Sequence, residues 1–227
     1  MKRADRPKLT PAIKRDITRR WHAEFPTLGI WKPMHLIRRT GPLLMGISLD
    51  RTSSGTEYIP VCHLHMLGAG FPGVSLHFYQ ELRGGRHMTP TSVELWREQE
   101  QFGYAVDYMR SVVLLPLSGP ISRRQVERVY GEFISGARLS ASNPEHDFTD
   151  LVTMALWCSN TADARAHVRW GVKKLSRLSH YHPETIQAWR DAQEARCADP
   201  QRVHETVAEE IRQFKLEQVP VSDFVCE

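Results

Sequence analysis

No motif in this sequence names a reaction. Its 227 residues contain no G-x-S-x-G, no H-E-x-x-H and no Walker A run, so the usual signatures of serine hydrolases, zinc peptidases and P-loop enzymes are missing. Cysteine is scarce. Cys62, Cys158, Cys197 and Cys226 are far apart with no C-x-x-C pair, which excludes a zinc-finger spacing and gives no disulfide framework. Four reduced thiols are expected, with Cys158 a small buried hydrophobe in an apolar helical run. No apolar stretch approaches the ~20 residues that span a bilayer. The opening "MKRADRPKLT" is basic but has no apolar segment behind it; it does not read as a secretory signal, and a cytoplasmic protein is expected. Internal repeats and low-complexity tracts are also absent. What is left, 41% apolar and 25% charged residues, is ordinary for a globular chain.

Charge, by contrast, is unevenly placed. Residues 1–40 carry eleven Lys/Arg against three Asp/Glu, and the other 187 carry nineteen against twenty-three. The net +4 therefore comes wholly from the first segment, and such asymmetry points to a polyanion or an acidic partner. Arginine outnumbers lysine by 23 to 7. Bidentate phosphate recognition favours arginine, and a GC-rich genome would give the same bias without function.

Thr10-Pro11 is a helix start, an N-cap followed by proline at the first helical position. Ile13, Ile17, Trp21 and Phe25 recur every fourth residue as one apolar stripe, and Pro26 ends the helix. Residues 31–82 change period. "MHLIRR", "LLMGISLDR", "YIPVCHLHML" and "VSLHFYQEL" are short, apolar or alternating, and are separated by turn-rich segments. That predicts a four-stranded antiparallel meander with one face on a core and a more polar face opposite. After "RGGRHMTPT" six helices are expected, starting near Ser92, Ser122, Asn143, Thr161, Pro183 and Pro200. The third is apolar on most sides and so central. The tail "VPVSDFVCE" reads as a short strand or docked extension. The expected class is α+β: an N-terminal helix, a β-meander and a C-terminal bundle of six helices. A division near residues 84–91 would separate a basic helix-plus-sheet unit, 1–90, from a helical region, 91–227, unless the helices continue one domain with the sheet.

Two sets of residues carry candidate chemistry. His63 and His65 share a strand face because strand side chains alternate. With His77 on the next strand in a suitable register, three imidazoles would form a known ligand set for zinc, or for manganese, and His35 is a possible fourth. The plainer reading is a mixed strand face, since Ile59, Val61 and Leu67 share it and a one-residue slip separates the group. The other set is basic. Arg165, Arg169, Lys173 and Arg177 recur every fourth residue as one ridge, with Asp163 the one acid in that helix. The N-terminal helix adds Lys14, Arg15, Arg19 and Arg20 behind the arm Lys2, Arg3, Arg6 and Lys8. The plainer reading is a solvated face matched by acids elsewhere, such as Glu205, Glu209 and Glu210.

The leading expectation is a non-catalytic, nucleic-acid-associated accessory subunit of a bacterial, mobile-element or antiviral-defence complex. It would meet DNA or RNA backbone, or an acidic protein, through these two surfaces. No base-reading signature accompanies them. The competing expectation is a metal-dependent hydrolase or nuclease built on the sheet histidines. A third is a protein-interaction or immunity module.

Overall fold

The computed structural model describes residues 6–74, 77–82, 92–135 and 143–227. Helix α1 (Pro11–Glu24) forms where its signals stand: the Thr10 hydroxyl accepts from the Ile13 N–H at 3.3 Å, and Pro11 occupies the first turn. Ile17 and Trp21 are fully buried beneath it. Strands β1 (Gly29–Lys32), β2 (His35–Thr40), β3 (Leu43–Arg51), β4 (Glu57–Met66) and β5 (His77–Glu81) then follow one another as an antiparallel meander in chain order. The class is α+β as expected, with one strand more than the four predicted. β1 is the addition. Its four residues carry no apolar alternation, and pairing with β2 through Gly29–Ile37 and Ile30–Leu36 defines it. Two further short pieces extend the sheet: β6 (Val93–Glu94) beside the start of β4, and β8 (Val221–Ser222) parallel to the end of β2.

Among the described residues the expected polar face is absent from the middle of β3 and from β4. β3 is buried over seven consecutive residues, and His63 and His65 on β4 are 2% and 0% exposed. Helices cover both sides. Leu36, Ile47, Leu49 and Cys62 pack against Ile17 and Trp21 of α1 and Met109 of α2 (Glu98–Val112). On the other face Ile37 and Leu44 meet Val152 of α4 (Pro144–Trp157), Val168 of α5 (Thr161–Leu175) and Val207 of α7 (Gln201–Gln213). A third cluster joins Leu43, Met45, Leu64 and Met66 to Val126 and Tyr130 of α3 (Arg123–Ser135) and Phe148 of α4. Alternating strands are buried on both faces when helices supply both covers.

Six helices follow the sheet, α6 (Pro183–Ala198) completing the set. α4 is central, buried from Asp147 to Leu156. The first of the six starts later than expected. Val93 and Glu94 are recruited to β4, and the Ser92 hydroxyl donates to Glu57 at 2.5 Å instead of capping a helix. The tail adds β8 and β9 (Phe224–Val225), the latter parallel to β7 (Ile121–Ser122). Cys226 closes it with a disulfide to Cys158 at the end of α4. This overturns the expectation of four thiols: 68 residues separate the pair in sequence, and the tail's return to the sheet brings them together. Cys62 and Cys197 are free and buried. Among the described residues no helix is long and apolar enough to cross a membrane.

Candidate anion-binding cleft

The basic helix α1 starts beside the end of the sheet where β2 begins and β3 ends. The connection between β1 and β2 is a tight turn with Met34 at φ 69°. Its shape is held from α1 by Thr18, whose buried hydroxyl accepts the Met34 N–H at 2.8 Å. From β3 the Leu49 N–H donates to the Met34 carbonyl, also at 2.8 Å. Between these elements lies an open cleft of about 550 Å³. Lys14 and Arg15 come to it from α1, Lys32 from β1 and Arg51 from the end of β3. Asp50 is the one carboxylate among its lining residues. The first turn of α1 contains no acid, so the positive end of that helix is not neutralised from within.

The cleft floor is made by His35 and Ser48, directly paired across β2 and β3. Behind it His35 Nε2 meets His63 Nε2 at 2.7 Å, one ring donating to the other. Burial and then Lys32 hold His35 down to about 4. Burial, then the neighbouring His35, His65 and Lys32, hold His63 well below the ordinary histidine value. Both rings are therefore neutral at pH 7. Ser48 Oγ makes no hydrogen bond, to His35 or to any other described group. Cys62, on the opposite face of β4, is pushed up to about 12 by burial and is no nucleophile at neutral pH.

Of the sequence-derived basic residues, Lys14 and Arg15 line this cleft. Arg19 and Arg20 both pair with Asp16, and Arg20 also reaches Glu98 at 2.5 Å. Arg6 is paired with Glu94; Lys2 and Arg3 lie outside the described residues. On α5, Arg165 is shared with Glu194 at 3.5 Å, while Arg169, Lys173 and Arg177 are exposed and make no ion pair among the described residues. His63 is joined by His35, and His65 packs against Phe71 and Phe214. His77 occupies the register position paired with Leu64. Among the described residues no group of three His, Cys, Asp or Glu is placed to hold a metal ion.

Comparison with family models, curated proteins and solved structures finds no significant match.

A second polar group went unnoticed in the sequence. Asp150 of α4 is fully buried and accepts from the Tyr130 hydroxyl at 2.7 Å; burial holds its carboxyl well above the ordinary range. Next to it Arg196 donates to the Gly68 carbonyl at 2.6 Å and to Thr153 at 2.7 Å. Glu210 accepts the N–H of Gly68 at 2.6 Å and of Gly70 at 3.3 Å. Residues 68–73, GAGFPG, have the G-x-G-x-x-G spacing of dinucleotide-binding loops. Here they join two antiparallel strands rather than a strand and a helix, and their amides already hold the protein's own carboxylate. The signal that was available is Asp147 and Asp150 within a helix apolar on most sides. Carboxylates there have no route to solvent.

Proposed function

We propose that this chain binds the phosphate backbone of a nucleic acid through the α1 cleft, as a non-catalytic accessory subunit. One observation carries the reading: Lys14, Arg15, Lys32 and Arg51 come from three separate elements to one cleft that has a single carboxylate in its lining. A rigid helix and sheet leave mainly side-chain entropy to lose on binding, and each phosphate the cations neutralise releases counterions. Arg169, Lys173 and Arg177, exposed and without an ion pair among the described residues, offer a second, weaker contact of the same kind.

Fluorescence-anisotropy titration with generic DNA and RNA at ~50 and ~200 mM salt tests this. Four phosphate contacts should weaken binding about 50–150-fold between those salts. Alanine at Lys14, Lys32 and Arg51 together should remove most of that slope. Replacing Arg169, Lys173 and Arg177 should cost less. Absence of binding at the lower salt, or affinity indifferent to salt, would refute the proposal.

A further inference from the structure

None of the last eight residues, 220–227, is buried. The chain just before them is anchored, with Leu216 and Val219 only 1% and 6% exposed in the core beneath α7. Beyond Val219 the tail touches two separate parts of the molecule. β8 pairs with two residues of β2, where the Arg39 N–H donates to the Pro220 carbonyl at 2.8 Å and the Thr40 and Ser222 hydroxyls meet at 2.7 Å. β9 pairs with two residues of β7, where the Ile121 N–H donates to the Asp223 carbonyl at 3.1 Å. Phe224, half-buried against Gly41, is the tail's largest apolar side chain. Strands this short bring few hydrogen bonds, and fixing each tail residue costs backbone entropy. The bond from Cys226 to Cys158 offsets that cost, because it keeps the tail beside its partners.

The disulfide is also open to attack. Cys226 is exposed and Cys158 half-buried at the end of α4, whereas the two free thiols, Cys62 and Cys197, are 4% and 3% exposed. A reagent in solution therefore meets the one bonded pair and neither free thiol. We infer that Cys158–Cys226 is a redox latch: a dithiol reductant opens it, the tail beyond Val219 swings free, and the sheet stays folded. A thiolate of the reductant attacks the Cys226 sulfur, the S–S bond breaks, and Cys158 leaves as a thiolate that takes up a proton. The second thiol of the reductant then displaces Cys226 from the mixed disulfide. The reductant ends as a disulfide, and the protein gains two electrons and two protons. Opening uncovers the edge of β2 at Arg39 and Thr40 and that of β7 at Ile121 together. One chemical event thus changes two surfaces built from distant segments. The inference is independent of the phosphate-binding reading above.

The test is amide hydrogen exchange of the full chain before and after treatment with dithiothreitol, with alkylation of Cys158 and Cys226 read by mass spectrometry. Both cysteines should become alkylated without denaturant. Exchange at the Arg39 and Ile121 amides, which lose their tail acceptors, should rise together by about tenfold or more. Amides along the β3–β4 ladder should keep their protection. A variant with Cys158→Ser and Cys226→Ser should show the raised exchange with or without reductant. A rise at neither amide, or at only one of them, would overturn the inference, since pairing would then still hold the tail. So would a bond that dithiothreitol leaves intact in the folded protein. Exchange that rises throughout β3 and β4 would overturn it too, by making the bond a staple of the whole fold.

Discussion

His35 and His63 stand two strands apart and still touch, because β3 places only Ser48 and Gly46 between them on that face. Nothing larger than glycine fits at 46, where a Cβ would lie 2.0 Å from the Leu36 carbonyl oxygen. The contact fixes a pH response. A histidine whose folded pKa is depressed contributes stability that is present above its unfolded value, 6.5, and lost as the pH falls toward about 4. Asp147, raised to about 7 by burial and then by Glu145, acts in the opposite sense. Its contribution is present below 3.8 and lost as the pH rises toward about 7. Global melting would blend the two trends, so the prediction is read site by site. In nitrogen-resolved NMR spectra the rings of His35 and His63 should keep neutral-imidazole shifts down to about pH 5. Titration of both rings above about pH 6 would contradict the arrangement. The sequence does reveal that His63 and His65 share a face, because alternation settles that. It does not reveal Ser48 beside His35, or Lys32 and Arg51 at one rim, since both follow from the register of β2 on β3. His77 shows the same limit: nothing local says that it pairs with Leu64.

At the scale of elements, the connection after β4 depends on a helix far along the chain. Glu210 of α7 takes the Gly68 and Gly70 amides, and a Cβ at Gly68 would lie 2.8 Å from Val207. Glu210→Ala should cost about 2–3 kcal/mol in urea unfolding, because two amide donors lose their buried acceptor and Arg196 loses a nearby negative charge. Hydrogen exchange at the Gly68 amide should rise in the same variant, and unchanged protection would show that the backbone holds itself. Elements with their own signals were legible in the sequence. α1 has a cap and a stripe, and α4 is apolar on most sides. The two-residue strands β6 and β7 were not, because each exists only through its partner. Covering helices on both faces also turned an alternating pattern, normally half-exposed, into a buried one.

Over the whole molecule the tail acts as a tie. β8 lies on β2, with the Arg39 N–H donating to the Pro220 carbonyl at 2.8 Å, β9 lies on β7, and Cys226 is bonded to Cys158. Reducing that disulfide, or replacing both cysteines with serine, should lower stability by about 2–4 kcal/mol, the usual range for a disulfide. Chemical denaturation with and without reductant measures it, and the serine variant should be indifferent to reductant. Equal midpoints for the oxidised and reduced protein would mean that pairing alone secures the tail. The tie also sets a schedule for synthesis. The Thr40 and Ser222 hydroxyls hydrogen-bond across 182 residues of sequence. At ~5–20 residues per second a ribosome needs about 10–40 s to deliver one after the other. Throughout that interval Arg39 and Thr40 present an unpaired edge to the crowded cell, the kind of edge along which chains associate wrongly. The nascent protein therefore passes through a vulnerable period set by translation speed, and faster elongation or a chaperone shielding that edge should raise the yield of folded chains.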